Sequence, residues 1–211
     1  MQSLASAEII SAKEKGIKEI AETAAGFLKK GKIIIYPTET CYGIGADALD
    51  EEAVKKVHDA KKQDYSKPVS VIVPSAAEAG KIAVLGAKEK LLIRKFMPGP
   101  LTIIVKKKSA VPDILSRETI AFRISSNKIA NAIAKKFGSA ITATSANLHG
   151  MPEIYNSKEA IDKFGGIAGM VIDAGILPKK RPSTIYDSVK NAVIREGEIK
   201  KEEIEKALEK K

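Results

Sequence analysis

The chain has 211 residues, 44% of them hydrophobic, and a formal charge of +10, which suffices for one sizeable core and requires no separate second domain. The charge rests on 31 lysines and only five arginines, Arg94, Arg117, Arg123, Arg181 and Arg195. Hydrated lysines suit a solvated surface, so the scarce, fork-shaped arginines are the better pointers to an anionic ligand. A single cysteine, Cys41, excludes an intrachain disulfide and a cysteine-built metal cluster. No leader-like start and no long apolar run is present, so a cytoplasmic protein without a membrane partner is expected.

Residues 17 to 30 set Ile17, Ile20, Ala21, Ala24 and Leu28 on one helical face, and Gly31 stops that helix. "KIIIYP" reads as a short buried strand, "DEEAVKKVHDAK" as a helix and "VSVIVP" as a strand. Ser75 to Lys95 reads as helical turns interrupted near Gly86. "LTIIVKK" and "TIAFRIS" are the next strands, and "NKIANAIAKKFG" is a helix with Asn127 as its cap and Gly138 as its stop. "SAITAT" leads into the polar turn "SANLHG". A helix follows from about Ser157 to Phe164, then strands around "GMVIDA", "STIYDS" and "AVIRE" and a charged last helix, "KKEEIEKALEKK". Mixed strands and helices of this kind predict an α/β fold with a twisted, mixed sheet and flanking helices.

"GFLKKGKI" has the glycine and lysine spacing of a phosphate loop. Ile33 replaces the metal-holding hydroxyl, however, and the segment precedes a strand instead of following one, so it is rejected. "GIG" at Gly43 to Gly45 lacks a third glycine and indicates only a tight backbone. In "YPTETCYGIGADA" an apolar strand runs into Thr38, Glu39, Thr40 and Tyr42 and then glycines, which suits either a ligand site or a polar turn. "TSANLHG" sets Thr144, Ser145 and Asn147 at another strand end, where hydroxyls and an amide bind phosphate or cap a turn. Cys41 reads as a small buried side chain, His149 as an exposed loop residue and His58 as structural.

In order along the chain, "YPTETCYGIGADA", "AKKQDYSKPVSVIV", "FMPGPLTIIV", "IAFRI", "ATSANLHG", "DAG", "RPSTIYD" and "VIREGEI" resemble the threonylcarbamoyl-AMP synthase family, the YrdC-like fold, from about Lys32 to Gly197. The resemblance implies one YrdC-like domain over residues 1–211, with its core at about 17–197 and a charged C-terminal helix over 198–211. The domain is expected to surround a large, positively charged cavity. The implied reaction joins L-threonine, bicarbonate and ATP into threonylcarbamoyl-AMP and pyrophosphate. A separate threonylcarbamoyl transferase complex then modifies a tRNA adenosine beside the anticodon, and structured or double-stranded RNA is a further expected partner.

Carried over by residue, the resemblance puts Thr38 and Arg123 beside threonine, Lys61 as the catalytic cation, and Lys61, Ser145, Asn147 and Arg195 around ATP. Tyr42, Lys62, Gln63, Thr144, Ser183 and Thr184 are expected to line the cavity. Mg2+ is expected to enter with ATP, held by phosphates and water and not by protein ligands. Gln63 stands where the family has an arginine, and His149 where a serine is common. Gln63 keeps open a second reading, a YciO-like nucleotide- or RNA-binding relative with little or no synthase activity.

Overall fold

The computed structural model describes residues 6–209. Its elements in chain order are β1 (Glu8–Ser11), α1 (Ile17–Lys29), β2 (Ile34–Pro37), β3 (Tyr42–Gly45), α2 (Glu51–Lys61), β4 (Val71–Ile72), α3 (Ala76–Ile82), α4 (Ala87–Phe96), β5 (Leu101–Lys106) and β6 (Thr119–Arg123). They continue with α5 (Lys128–Phe137), β7 (Ile141–Thr142), β8 (Thr144–Ser145), α6 (Ser157–Phe164), β9 (Met170–Asp173), β10 (Thr184–Asp187), β11 (Ala192–Arg195) and α7 (Lys201–Glu209). Lys210 and Lys211, the end of the expected last helix, lie outside the described residues.

Helix boundaries follow local chemistry. The Asp50 carboxylate accepts from the amides of Glu52 and Ala53 at the start of α2, and Asn127 accepts from Ile129 and Ala130 at the start of α5. Gly138 ends α5 at φ 81°, a left-handed conformation that favours glycine. The rejected phosphate-loop segment runs from the end of α1 into β2, the reverse of the strand-to-helix order that such a loop needs.

The architecture is mixed α/β, with two mixed sheets where one was expected. The first sheet has the order β1-β9-β2-β3-β8 and the second β11-β10-β5-β6-β4-β7. The chain crosses between them at Ala143, which separates β7 from β8, so the two sheets share one turn of backbone. One apolar cluster draws on both, joining Ile34 and Ile172 of the first sheet to Ile72 and Ile141 of the second beneath α1 and α5. β1 and β3 escaped the sequence reading, β3 because "YGIG" is half glycine. Gly45 is obligatory there, because a Cβ would lie 2.8 Å from the Tyr36 ring.

Period-2 alternation in the second sheet decides which residues reach the cavity. Leu101, Ile103 and Val105 of β5, with Ile120 and Phe122 of β6, pack into the largest apolar cluster. Thr102, Ile104, Ala121 and Arg123 therefore point to the opposite face and line the cavity. Along β10, Tyr186 belongs to the core, while Ser183 and Ile185 line the cavity. β11 would carry Arg195 to the same side as Val193, the core side, but for one irregularity. Tyr186 pairs with Val193 whereas Ile185 pairs with Arg195, so Ile194 is an extra residue in a β-bulge that turns Arg195 to the cavity side.

The same alternation corrects two expected cavity residues. Thr184 is fully buried on the far face, where its hydroxyl donates to Ile199 O at 2.6 Å and accepts from the amides of Gly197 and Ile199 at 2.9 and 3.1 Å. Tyr42 is also fully buried and turns away from its neighbour Gly43. Its hydroxyl donates to Gly175 O and accepts from Ala174 N at 2.9 and 3.0 Å.

Thr184 is thus a three-way staple between β10 and the segment leading to α7. Thr184→Val keeps the shape and removes all three bonds, so it is expected to lower unfolding stability by about 2 kcal/mol or more, given about 1–3 kcal/mol per stranded buried group. Urea denaturation of the variant checks this; a change below about 0.5 kcal/mol, the range of an ordinary surface substitution, contradicts the staple.

Candidate functional site

A cavity of about 300 Å³ lies between the two sheets, lined by Gly43, Thr144 and Ser145 from the first and by Thr102, Arg123 and Arg195 from the second. Of the residues expected from sequence, Thr38, Arg123, Thr144, Ser145, Ser183 and Arg195 line it. Lys61, Lys62, Gln63 and Asn147 are not among its lining residues, and neither are Tyr42 and Thr184.

Lys61 is the last residue of α2 and is only 4% exposed. Its ammonium donates to Ser145 O at 2.6 Å and to Asn147 O and Oδ1, both at 2.9 Å. The Ser145 hydroxyl donates to the same Asn147 Oδ1 at 2.6 Å, and the Asn147 amide donates to Met151 O. Lysine, serine and asparagine, 84 to 86 residues apart for the lysine pairs, therefore form one hydrogen-bonded unit at the cavity wall. Burial pulls the Lys61 pKa down from 10.5 to about 8, opposed by the nearby Cys41 and Glu153 charges. Lys62 follows in a left-handed conformation at φ 49°, ending the helix, and Gln63 spends its backbone amide on His58 O at 3.0 Å.

Arg123 closes β6. Its Nε lies 3.0 Å from Glu39 Oε1, and both side chains are 8% exposed. Arg195 donates from Nε and from one terminal nitrogen to Ser183 O at 3.2 and 3.0 Å, and from that terminal nitrogen to Ser183 Oγ at 3.2 Å. Burial lowers its pKa from the ordinary guanidinium value, and Arg123 adds to that while Glu153 opposes it. Thr38 uses its hydroxyl to close a tight turn, donating to Cys41 O at 2.7 Å and accepting from the amides of Thr40 and Cys41.

Three lining or supporting residues were given no role in the site from sequence. Glu153 lines the cavity and accepts from the Tyr155 hydroxyl at 2.8 Å. It lies six positions past Asn147, where no motif marks which way a carboxylate turns. Glu39 holds Arg123 from outside the lining, although it was visible within "YPTET". Cys41 is buried as expected but also lines the cavity. Its thiol is pushed up to about 11, first by burial and then by Glu153, which makes it a poor nucleophile near neutral pH. His149 is exposed, and His58 is fully buried with Nε2 3.2 Å from Ile114 O.

The cavity lining therefore offers two arginines and one carboxylate together with several hydroxyls, a set suited to a ligand bearing carboxylate or phosphate groups. Among the described residues no three His, Cys, Asp or Glu side chains converge as a metal site. No described helix is long and apolar enough to cross a membrane.

The Sua5/YciO/YrdC family model, described as telomere recombination, matches residues 26–197. The chain is 37% identical over 194 residues to a Methanocaldococcus jannaschii protein provisionally named threonylcarbamoyl-AMP synthase, covering 91% of this chain and 92% of that one. It is 32% identical over 205 residues to the threonylcarbamoyl-AMP synthase of Pyrococcus abyssi, covering 95% of this chain and 60% of that one. The structure of P. abyssi Sua5 complexed with L-threonine superposes with a TM-score of 0.87 at 31% identity, over 95% of this chain and 60% of that one. Escherichia coli YciO superposes with a TM-score of 0.79 at 25% identity, over 92% and 96% of the two chains. The chain thus spans about 60% of the P. abyssi relative and nearly all of the M. jannaschii and E. coli ones.

The depressed Lys61 pKa has a definite pH signature. Between about 8 and 10.5 the unfolded chain holds a proton on this lysine that the folded chain has released, so this group makes stability rise with pH across that window and adds a constant penalty below it. An NMR titration of Lys61 Nζ should show a midpoint near 8. A midpoint above 10 would mean that burial does not desolvate the ammonium.

Proposed function

This chain belongs to the Sua5/YciO/YrdC family, and on that premise we propose that it is an L-threonylcarbamoyladenylate synthase, a nucleotidyltransferase that supplies threonylcarbamoyl-AMP for tRNA modification. The observation that carries this reading is one cavity that unites Thr38 and Arg123 with Ser145 and Arg195, backed by the buried ammonium of Lys61 on the Ser145 and Asn147 turn. One end matches an amino-acid carboxylate and the other an anionic phosphate chain, as joining threonine to a nucleotide requires.

In this reading Arg123 grips the threonine carboxylate with its terminal nitrogens, which have no protein hydrogen-bond partner among the described residues. Thr38 holds the turn against which the amino acid seats. The threonine amine captures carbon dioxide released from bicarbonate and loses a proton. The carbamate oxygen then attacks the α-phosphorus of ATP, and the bond to the β-phosphate bridging oxygen breaks to release pyrophosphate. Such a displacement needs alignment and charge neutralisation more than a protein nucleophile. Ser145, Asn147 and Arg195 orient the phosphates, and Lys61 supplies positive charge behind them. Mg2+ entering with ATP would lower the phosphate charge and would be held mainly by phosphates and water, as a substrate-borne hard cation usually is. A downstream transferase acts on the product.

Gln63 favours a second reading, in which the fold and cavity persist with little synthesis, as in a YciO-like relative that binds nucleotide or structured RNA. Glutamine supplies no charge, and a missing charge-assisted phosphate contact costs about 2.7–4 kcal/mol of transition-state stabilisation by analogy with a removed oxyanion donor.

Incubation with ATP, bicarbonate, Mg2+ and L-threonine should release pyrophosphate only with threonine present, and mass spectrometry should find the threonylcarbamoyl adenylate. ATP binding without any adenylylated product would establish the second reading instead. If the site runs below its ceiling for want of a charge, Gln63→Arg should raise turnover by about a hundredfold or more. Lys61→Ala should lower it by at least that factor while circular dichroism stays unchanged; full activity in Lys61→Ala would remove this lysine from the site.

A further inference from the structure

We propose that Glu39 is a positioning residue that fixes which edge of Arg123 the cavity sees and cancels its charge, so that this end of the cavity takes an amino-acid carboxylate and refuses phosphate. The proposal deepens the threonine-binding reading above and rests on it.

Glu39 is not part of the cavity lining, whereas Arg123 is. Its Oε1 stands 3.0 Å from Arg123 Nε, and its other oxygen accepts from the Ser125 hydroxyl at 2.5 Å. Ser125 is fully buried, and its carbonyl is held by the Asn131 amide of α5 at 3.0 Å. Glu39 is therefore braced from α5 and in turn braces the Nε edge of the guanidinium. What remains toward the cavity is the pair of terminal nitrogens, a fork whose two parallel N–H groups match the two oxygens of a carboxylate. Arg123 Nε and Glu39 Oε1 are close, yet neither makes an aligned hydrogen bond. The guanidinium thus has a small rotation left to complete when a carboxylate seats on its other edge.

The charge arrangement points the same way. Arg123 and Glu39 form a buried pair of net zero charge, so an incoming ligand is held here by directed hydrogen bonds and not by excess positive potential. A carboxylate with one negative charge tolerates that, whereas a phosphate with two or more is repelled by the Glu39 carboxylate behind the guanidinium. Arg195 and Lys61 differ: among the described residues neither has a carboxylate within 4.0 Å, and each bonds only to carbonyl, amide or hydroxyl oxygens. Their charges remain available to phosphates. Glu39 thereby partitions one cavity into an amino-acid end and a nucleotide end.

Calorimetric titration of the full chain with L-threonine, and separately with inorganic pyrophosphate, tests this without relying on turnover. Glu39→Gln should weaken threonine binding by roughly 10- to 100-fold, the equivalent of one charge-assisted contact, and should strengthen pyrophosphate binding by making it competitive with threonine. In the turnover assay this appears as a raised threonine KM with kcat largely kept at saturation, and as inhibition by pyrophosphate against threonine. Glu39→Asp keeps the charge but shortens the reach, so it should lose threonine affinity without gaining pyrophosphate competition. Ser125→Ala, a milder change that leaves both ionic groups, should weaken threonine by roughly 2- to 10-fold. Threonine affinity within about twofold of wild type in folded Glu39→Gln and Ser125→Ala, or equal losses of threonine and pyrophosphate binding, overturns the proposal. A wild type that binds threonine yet releases no pyrophosphate from ATP removes the synthase reading and leaves this one standing. A wild type that binds no threonine overturns this one as well.

Discussion

The site depends on one buried ammonium. Lys61 sits at the carboxyl end of α2, where unpaired helix carbonyls favour a cation, and its three donors are taken by Ser145 O, Asn147 O and Asn147 Oδ1. That contact ties a helix packed on the first sheet to the turn that leaves β8, and so closes the cavity wall on that side. It also costs the lysine part of its hydration, which is why its pKa falls to about 8. A charge held this way is preorganised, because the ammonium is fixed in one geometry and needs no rotamer search. The Lys61 ammonium and the Ser145 hydroxyl donate to one shared acceptor, Asn147 Oδ1, so displacing any member of the trio shifts the other two.

Arg123 and Arg195 reach the cavity by two different backbone devices. Arg123 ends a regular strand on the face opposite the core. Arg195 arrives only because a bulge resets the parity of β11 against β10. Were Ile194 paired regularly with Ile185 instead of bulged, the arginine would point into the apolar cluster that holds Val193 and Tyr186. The exposure of Ile194, 55%, is the surface trace of that reset.

Much of the fold was legible in the sequence because it rests on local rules. Helical spacing, the Asn127 cap and the Gly138 stop set α5, and Gly31 and Gly86 mark breaks that the structure keeps. β3 was hidden because the two glycines of "YGIG" dilute the strand propensity of Tyr42 and Ile44, although Gly45 is what lets the Tyr36 ring lie close to it. The two-sheet division was hidden because Ala143 carries no signal that the chain changes sheet there. Tyr42 and Thr184 were misread for one reason: motif reasoning assigns a whole stretch to a cavity, whereas a strand sends only alternate residues to it. Ser183 faces the ligand side while Thr184 secures the C-terminal segment, so neighbours in one motif serve opposite faces. Glu153 was missed because the turn after Asn147 aims it by backbone geometry alone.

The overall charge of +10 is a poor guide to the cavity. Several lysines stand on the exterior in short pairs such as Lys15 with Glu19, Lys136 with Glu22 and Lys163 with Glu159, each contributing little in water. Inside, Glu39 neutralises Arg123, and Glu153 stands among Arg195, Cys41 and Lys61. The interior balance is close to even, so what an anionic ligand meets there depends on where each charge lies and not on the total over the chain.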